Sequence, residues 1–222
     1  MGASERRSVG ASERSTFTLP RSHAPTLHAP APHHSNTLLF PYTGTPFPPM
    51  LKPVKSKALL AGAARFAVVA SQYNARYVNA MLAAARSELK RAGVKRLLVF
   101  RVPGAFEIPV VAARLARLGS PVHPLNYPPS TFGSGLSGII CLGVILRGQT
   151  SHAAHIGEAV SRALMQIQLK YEVPVIHEVL LLDDEGQARA RCLNPKHNRG
   201  NEAAQTALAM AKLMKSLRLG AG

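Results

Sequence analysis

Tryptophan is absent from the 222 residues, and aromatic residues together make up only 5% of the chain. Stacking on nucleic-acid bases needs a platform of such rings, so that mode of binding is poorly supported. Cysteine is scarce: Cys141 and Cys192 do not form a metal-ligand spacing. Cys141 sits inside an apolar run and reads as a small core residue, and so few thiols fit a reducing compartment. No apolar run approaches the roughly 20 residues needed to span a bilayer. Neither GxGxxG nor GxxxxGK[ST] occurs, which leaves dinucleotide and Walker-type sites unsupported. Acids are few, 11 against 27 Lys and Arg, for a net charge of +16. Residues 1–60 hold +5 of that charge and the remainder +11, scattered along helices with no dense basic run. Such a body suits anionic small molecules, phosphates among them, and a nucleic-acid-binding protein would rest on net charge alone; no nucleic-acid or membrane partner is expected.

What is present divides in two. Residues 1–62 are rich in Pro, Ser, His and Ala and show no hydrophobic periodicity. A segment of this kind cannot bury enough apolar surface to fold alone, so it reads as a disordered basic tail. ASER occurs at Ala3–Arg6 and again at Ala11–Arg14, too short a repeat to imply architecture, and His33–His34 is too isolated for a metal site. Scarcity of acids and the Arg/Ser content resemble an organelle transit peptide. A cytoplasmic location is the expectation, with organelle targeting by the tail as the alternative. Residues 63–222 read as one folded domain.

In that domain Arg65–Ser71 (RFAVVAS) reads as a buried strand, followed by the polar Gln72-Tyr73-Asn74 and a helix to Arg91. Arg96–Val102 is the second strand. It runs into VPGAFEIP, where Pro103-Gly104 punctuates and Pro109 suits the first turn of a helix reaching about Leu118. Residues 119–137, rich in Gly, Pro and Ser, read as an insertion loop. Gly138–Leu146 is an uncharged run of Ile, Val and Leu, the pattern of a strand buried on both faces. It ends at Arg147–His152, where Gly148 makes a tight turn and Thr150 and Ser151 are candidate helix caps. Val173–Leu182 is a fourth strand, Asp183–Arg191 a short helical piece, and Asn201–Leu217 the last helix.

Strands alternating with helices predict a parallel sheet with right-handed crossovers and helices on both faces. Ligands bind such sheets beyond the carboxyl ends of the strands. That rule puts Tyr73-Asn74, Gly104–Glu107, Arg147–His152 and His177 on one rim. At Gly148-Gln149-Thr150 a helix N-terminus offers unpaired N–H groups and positive potential to an oxyanion. His152 stands beside it as a proton carrier near neutral pH.

QYN at 72–74, VPGAFEIP at 102–109, LGVILRGQTSH at 142–152, PVI at 174–176 and RCLNPKHNRG at 191–200 together resemble the lumazine synthase family of riboflavin synthesis. The likeness runs from about Arg65 to Leu217, in order and spacing, and leaves out the tail. It implies a flavodoxin-like three-layer αβα sandwich with a four-stranded parallel sheet. It also implies a homopentamer with active sites between neighbouring subunits, and riboflavin synthase as a downstream partner. The implied reaction condenses 5-amino-6-ribitylamino-pyrimidinedione with 3,4-dihydroxy-2-butanone 4-phosphate, without metal or organic cofactor.

The resemblance also assigns roles. Tyr73 would stack on the pyrimidine. Asn74, Gly104, the backbone of Ala105 and Phe106, and Glu107 would hold the ribityl chain; a charge at a helix start is the competing reading of Glu107. The strand end Val144, Ile145 and Leu146 would line the pocket. Gly148, Gln149 and Thr150 would take the phosphate, faced by Arg191 of the neighbouring subunit and flanked by Arg199, where the family often has Lys. His152 matches the catalytic position, and His155 reads as structural.

The chain departs from the family pattern at several points. Ala154 replaces an acid two residues after His152. His177 replaces an aromatic that packs on the ring, and Glu178 follows it where a small residue is common. Arg191-Cys192-Leu193 replaces RAG. These departures raise the alternative of a non-catalytic or weakly active flavin or lumazine binder with the same fold.

Overall fold

The computed structural model describes residues 64–120, 135–218 and 220. The expected tail lies outside them, as do 121–134, the greater part of the expected insertion.

Two stretches have almost no polar side chain to turn toward water. β1 (Arg65–Ser71) and β3 (Gly138–Leu146) are buried nearly end to end, so both faces of each must be covered. They form the centre of a parallel four-stranded sheet of order β2-β1-β3-β4. β2 (Arg96–Val102) is one edge, with Leu98 and Val99 exposed, and β4 (Val175–Leu182) is the other. The register sets Val68 between Val99 and Ile140, and Cys141 beside His177.

Alternate residues of each strand face opposite layers. Phe66, Val68 and Ala70 with Ile140, Leu142 and Val144 pack against α1 (Ala75–Arg91) and α5 (Arg199–Arg218). Ala67, Val69, Ile139 and Cys141 pack against α2 (Ile108–Gly119) and α3 (His152–Tyr171). The three layers and all-parallel sheet are those of a flavodoxin-like fold. Cys141 is fully buried in the second layer, and burial pushes its thiol pKa up, as a core residue requires. No helix among the described residues is long and apolar enough to cross a membrane.

The first three strands have the expected bounds. The fourth begins at Val175 rather than Val173. Pro174 has no N–H to give a ladder, and its carbonyl instead accepts from Ile139 N–H at 2.8 Å. After β4, the expected single helical piece is two: α4 (Glu185–Ala188), capped by Asp184 through the Gln187 N–H at 2.8 Å, and a π-helical turn, Arg189–Leu193. At the far side of the connection after α2, Gly135 has φ +84°, and the Ser137 N–H returns to the Arg65 carbonyl at 2.8 Å. The chain is thus brought back to β1 just before β3 begins.

Candidate active site

The chain order reverses direction across the sheet between β1 and β3, and the carboxyl ends of these strands meet there. One side chain spans the gap. Asn74, just after β1, donates from Nδ2 to the Val144 carbonyl near the end of β3, at 2.8 Å. Its backbone is left-handed, φ 55° and ψ 40°, a conformation Asn tolerates better than most residues. Its Oδ1 is left as an acceptor. Beneath it, at the end of β1, the Ser71 hydroxyl is buried and has no hydrogen-bond partner among the described residues.

The neighbouring loop is built tightly around Gly104. Glu107 Oε2 accepts from the Gly104 N–H at 2.8 Å. A Cβ at 104 would lie 2.8 Å from that oxygen and 3.1 Å from the Tyr73 ring, so glycine is what lets ring and carboxylate close over the backbone. Backbone bonds tie the two loops: Tyr73 N–H reaches the Pro103 carbonyl at 3.1 Å. Ala105 is buried, while the Tyr73 and Phe106 rings are 71% and 61% exposed. Two large rings left in water beside a packed loop make a surface ready for a flat partner. Glu107 therefore spends one oxygen on its own turn and keeps the other.

Beyond β3 the chain is open to water. Leu146 is half-buried, and Arg147 to His152 are exposed, with Gly148, Gln149 and Thr150 leading into α3. Arg147 N–H bonds the Leu182 carbonyl at 2.8 Å, and its side chain meets Asp183 at 3.0 Å, so its charge is largely answered. Ser151 occupies the cap position of α3, but neither it nor Thr150 caps with its side chain. Ser151 has helical φ and ψ, which turn its hydroxyl away from the first N–H groups, and only its carbonyl joins the helix, taking Ala154 and His155. The expected capping role is thereby corrected. The first turn holds no acid, so the positive end of the helix is unanswered there. His152 makes no side-chain hydrogen bond or ion pair among the described residues.

His177 is not on this rim. It is the third residue of β4 and pairs with Cys141, five residues short of the strand end at Leu182, about 16 Å at strand rise. The expectation failed because the turn after β4 comes later than His177 suggested. The side chain turns to α3. Its Nδ1 accepts from Val179 N–H at 3.3 Å, so Nε2 carries the proton and faces Ser161 Oγ at 2.7 Å. The Ser161 hydroxyl passes its own hydrogen to the Gly157 carbonyl at 2.7 Å. Burial lowers the His177 pKa, and this hydrogen-bond chain suits the neutral ring.

Glu178 points to the opposite layer, into a partly buried ion cluster that no local sequence pattern announces. Arg199 Nε and Nη2 meet its two oxygens at 3.0 and 2.9 Å, and Nη1 meets Glu202. Burial pushes the Glu178 carboxyl up to about 7, against the opposing pull of Arg199. Arg191, in the π-helical turn, lies near enough to act on Glu178 but makes no ion pair among the described residues. Buried Asn198 bonds the Cys192 carbonyl from Nδ2 and receives the Gly200 N–H at 2.8 Å. Gly200 itself rests on α1: a Cβ there would stand 2.0 Å from the Met81 carbonyl oxygen. Among the described residues there is no group of three His, Cys, Asp or Glu able to hold a metal ion.

Within one chain the fold therefore gathers Tyr73, Asn74, Gly104, Ala105, Phe106, Glu107, Val144, Ile145, Leu146, Gly148, Gln149, Thr150 and His152 around the β1/β3 ends. His177, Arg191 and Arg199 lie elsewhere. Ser71, Ser161 and Glu202 were missed from sequence; only the four-residue spacing of Gly157 and Ser161 on α3 hinted at any of them.

The strand ends of a doubly wound parallel sheet, with a bare helix N-terminus and an exposed histidine beside them, are where α/β enzymes of this class commonly hold small ligands. Comparison with known proteins narrows it. Residues 63–215 match the family model for 6,7-dimethyl-8-ribityllumazine synthase. Over 156 residues, 69% of this chain, it is 37% identical to a protein of that name from Stenotrophomonas maltophilia, covering 91% of it. It is 38% identical to one from Xanthomonas oryzae and 36% identical to one from Xanthomonas campestris, covering 92% of each. The chain belongs to the 6,7-dimethyl-8-ribityllumazine synthase family, transferases of riboflavin biosynthesis.

Proposed function

We propose that the chain condenses 5-amino-6-ribitylamino-pyrimidinedione with 3,4-dihydroxy-2-butanone 4-phosphate, giving 6,7-dimethyl-8-ribityllumazine, phosphate and water. The observation that carries this reading is the convergence at the β1/β3 ends of exposed rings, a loop closed on its own carboxylate and an unanswered helix N-terminus. Tyr73 stacks on the pyrimidine. Asn74 Oδ1, the free oxygen of Glu107 and the backbone at Gly104, Ala105 and Phe106 meet the ribityl hydroxyls. Val144, Ile145 and Leu146 form the pocket wall. The N–H groups at Gly148, Gln149 and Thr150 take the phosphate.

Imine formation, phosphate elimination and ring closure each move protons. His152, exposed beside the phosphate end, serves as donor and acceptor in turn. Holding two substrates together supplies much of the acceleration, so the rate survives in part without it.

The site is completed between subunits of a homopentamer. His177 and Arg191 lie away from the rim of their own chain, and a neighbour bringing them to this rim accounts for their place in the reading. Arg191 then pairs the phosphate by its two-point fork. Arg199, already held by Glu178 and Glu202, adds less charge than the family's Lys would. The product passes to riboflavin synthase, and the cytoplasm is the place of action, with an organelle as the alternative.

Two variants test this. His152→Ala should lower kcat while pyrimidine binding persists; an unchanged rate would remove His152 from the chemistry. Arg191→Ala should raise KM for the butanone phosphate, and an effect confined to the pyrimidine would contradict its assignment. A second reading, a lumazine or flavin binder without turnover, is favoured by Ala154, which leaves His152 without an acidic neighbour on its own helix turn.

A further inference from the structure

The residues around Arg199 form a charge-paired knot at the start of α5, the element that follows the π-helical turn carrying Arg191. Arg199 presents Nε, Nη1 and Nη2, and all three nitrogens are taken by carboxylates. Glu178 is nearly enclosed, its side chain 7% exposed, while Glu202 is more open at 19%. Two acids therefore face the single cation Arg199, which leaves it no charge unanswered. The start of α5 is already fixed by Gly200 against the Met81 carbonyl and by Asn198 bonded to Cys192 and to Gly200. The two carboxylates add to that seating and also offset the charge of Arg199.

We propose that Glu178 and Glu202 set the anion affinity of this enzyme by cancelling the charge of Arg199, so that Arg191 meets a phosphate-type dianion with its own charge alone. The proposal rests on the reading of Arg191 as the phosphate-facing side chain. It makes the two carboxylates specificity-determining residues: they weaken capture of the anionic substrate and of the phosphate released, and they touch neither. Removing either negative charge raises the positive potential at Arg191 without adding a contact.

The probe is inorganic sulfate, which does not titrate near neutrality, measured as a competitive inhibitor against the butanone phosphate. The whole assembled protein is used at pH 8.5 and constant ionic strength, conditions in which Glu178 is ionised. Glu178→Gln should tighten sulfate on the order of fivefold, the effect of uncovering one positive charge, that of Arg199, at high dielectric. Glu202→Gln should tighten it by a smaller factor, and being more exposed it gives the answer if the Glu178 variant fails to fold. Both gains should shrink on adding sodium chloride and vanish in combination with Arg191→Ala. A folded Glu178→Gln or Glu202→Gln protein whose sulfate affinity is unchanged or weaker overturns the proposal. If Arg191→Ala alone weakens sulfate while the carboxylate variants do nothing, the Arg191 reading stands and this proposal falls. If Arg191→Ala alone leaves sulfate unaffected, that reading is wrong and the proposal falls with it.

Discussion

The rim at the ends of β1 and β3 and the arm between Cys192 and Gly200 are built on opposite plans. At the rim the backbone is held and the chemistry is left bare. Asn74 ties one strand end to the other, Glu107 closes its own loop, and the rings and His152 stand in water. In the arm the polar groups are spent on one another: Arg199 on two carboxylates, Asn198 on the chain to either side. A site that must exchange substrates keeps its functional groups unpaired, and a segment that must hold position pairs them. Damage to the arm should therefore register first as stability, and damage to the rim first as rate.

The largest expected effect is at the closest backbone contact. Gly200→Ala forces a Cβ against the Met81 carbonyl, so α5 must shift off α1. A loss of about 3 kcal/mol or more is expected, read as a fall in the denaturant midpoint. An unshifted midpoint would mean the arm is loosely seated and would erase the contrast. Asn198→Ala leaves the Cys192 carbonyl and the Gly200 N–H unmatched in a buried place, for a loss of about 2 kcal/mol by the same measurement. On the rim, His152→Ala should reduce kcat about 10²-fold, the lower end for a proton-transfer group, with the denaturant midpoint unmoved. A large stability change there would say that the rim, too, is built by paired side chains.

The smallest expected effect is one of pH. Burial holds the His177 pKa below its ordinary value, so the unfolded chain takes up the proton first as pH falls. Protonation also puts a hydrogen on Nδ1 facing the Val179 N–H. Stability conferred by the neutral ring is therefore full above about pH 6.5, the ordinary histidine value, and declines as pH drops below it. His177→Phe should flatten that part of the stability–pH curve in urea titrations between pH 5 and 8. A curve equally steep in the variant would move the titration to another group.

Much of the sheet was legible because its strands are apolar runs that stop abruptly. RFAVVAS ends on Gln72-Tyr73-Asn74 and GIICLGVIL on Arg147-Gly148, and the observed bounds fall at those residues. The fourth strand was overrun at its start, since Val173 and Pro174 are apolar by composition while only Pro174's missing N–H decides where the ladder begins. The rim residues were legible through the rule that ligands meet parallel sheets at strand ends. His177 was misplaced by that rule, because periodicity tells which face a strand residue takes but not how far the strand continues beyond it. The Glu178–Arg199–Glu202 knot was hidden for another reason. Residues 178 and 199 are brought together by the turn and π-helical segment between them, and no local pattern announces a tertiary ion pair.

The most direct measurement is the simplest. Purified protein is mixed with the ribitylamino-pyrimidinedione and the butanone phosphate, and the lumazine chromophore is followed above the uncatalysed background. An enzyme-dependent rate that saturates in both substrates, with phosphate released in step, is the expected result. Binding of the pyrimidine with no rate above background would contradict it, and would make the exposed rim a binding surface that has kept its shape without its chemistry.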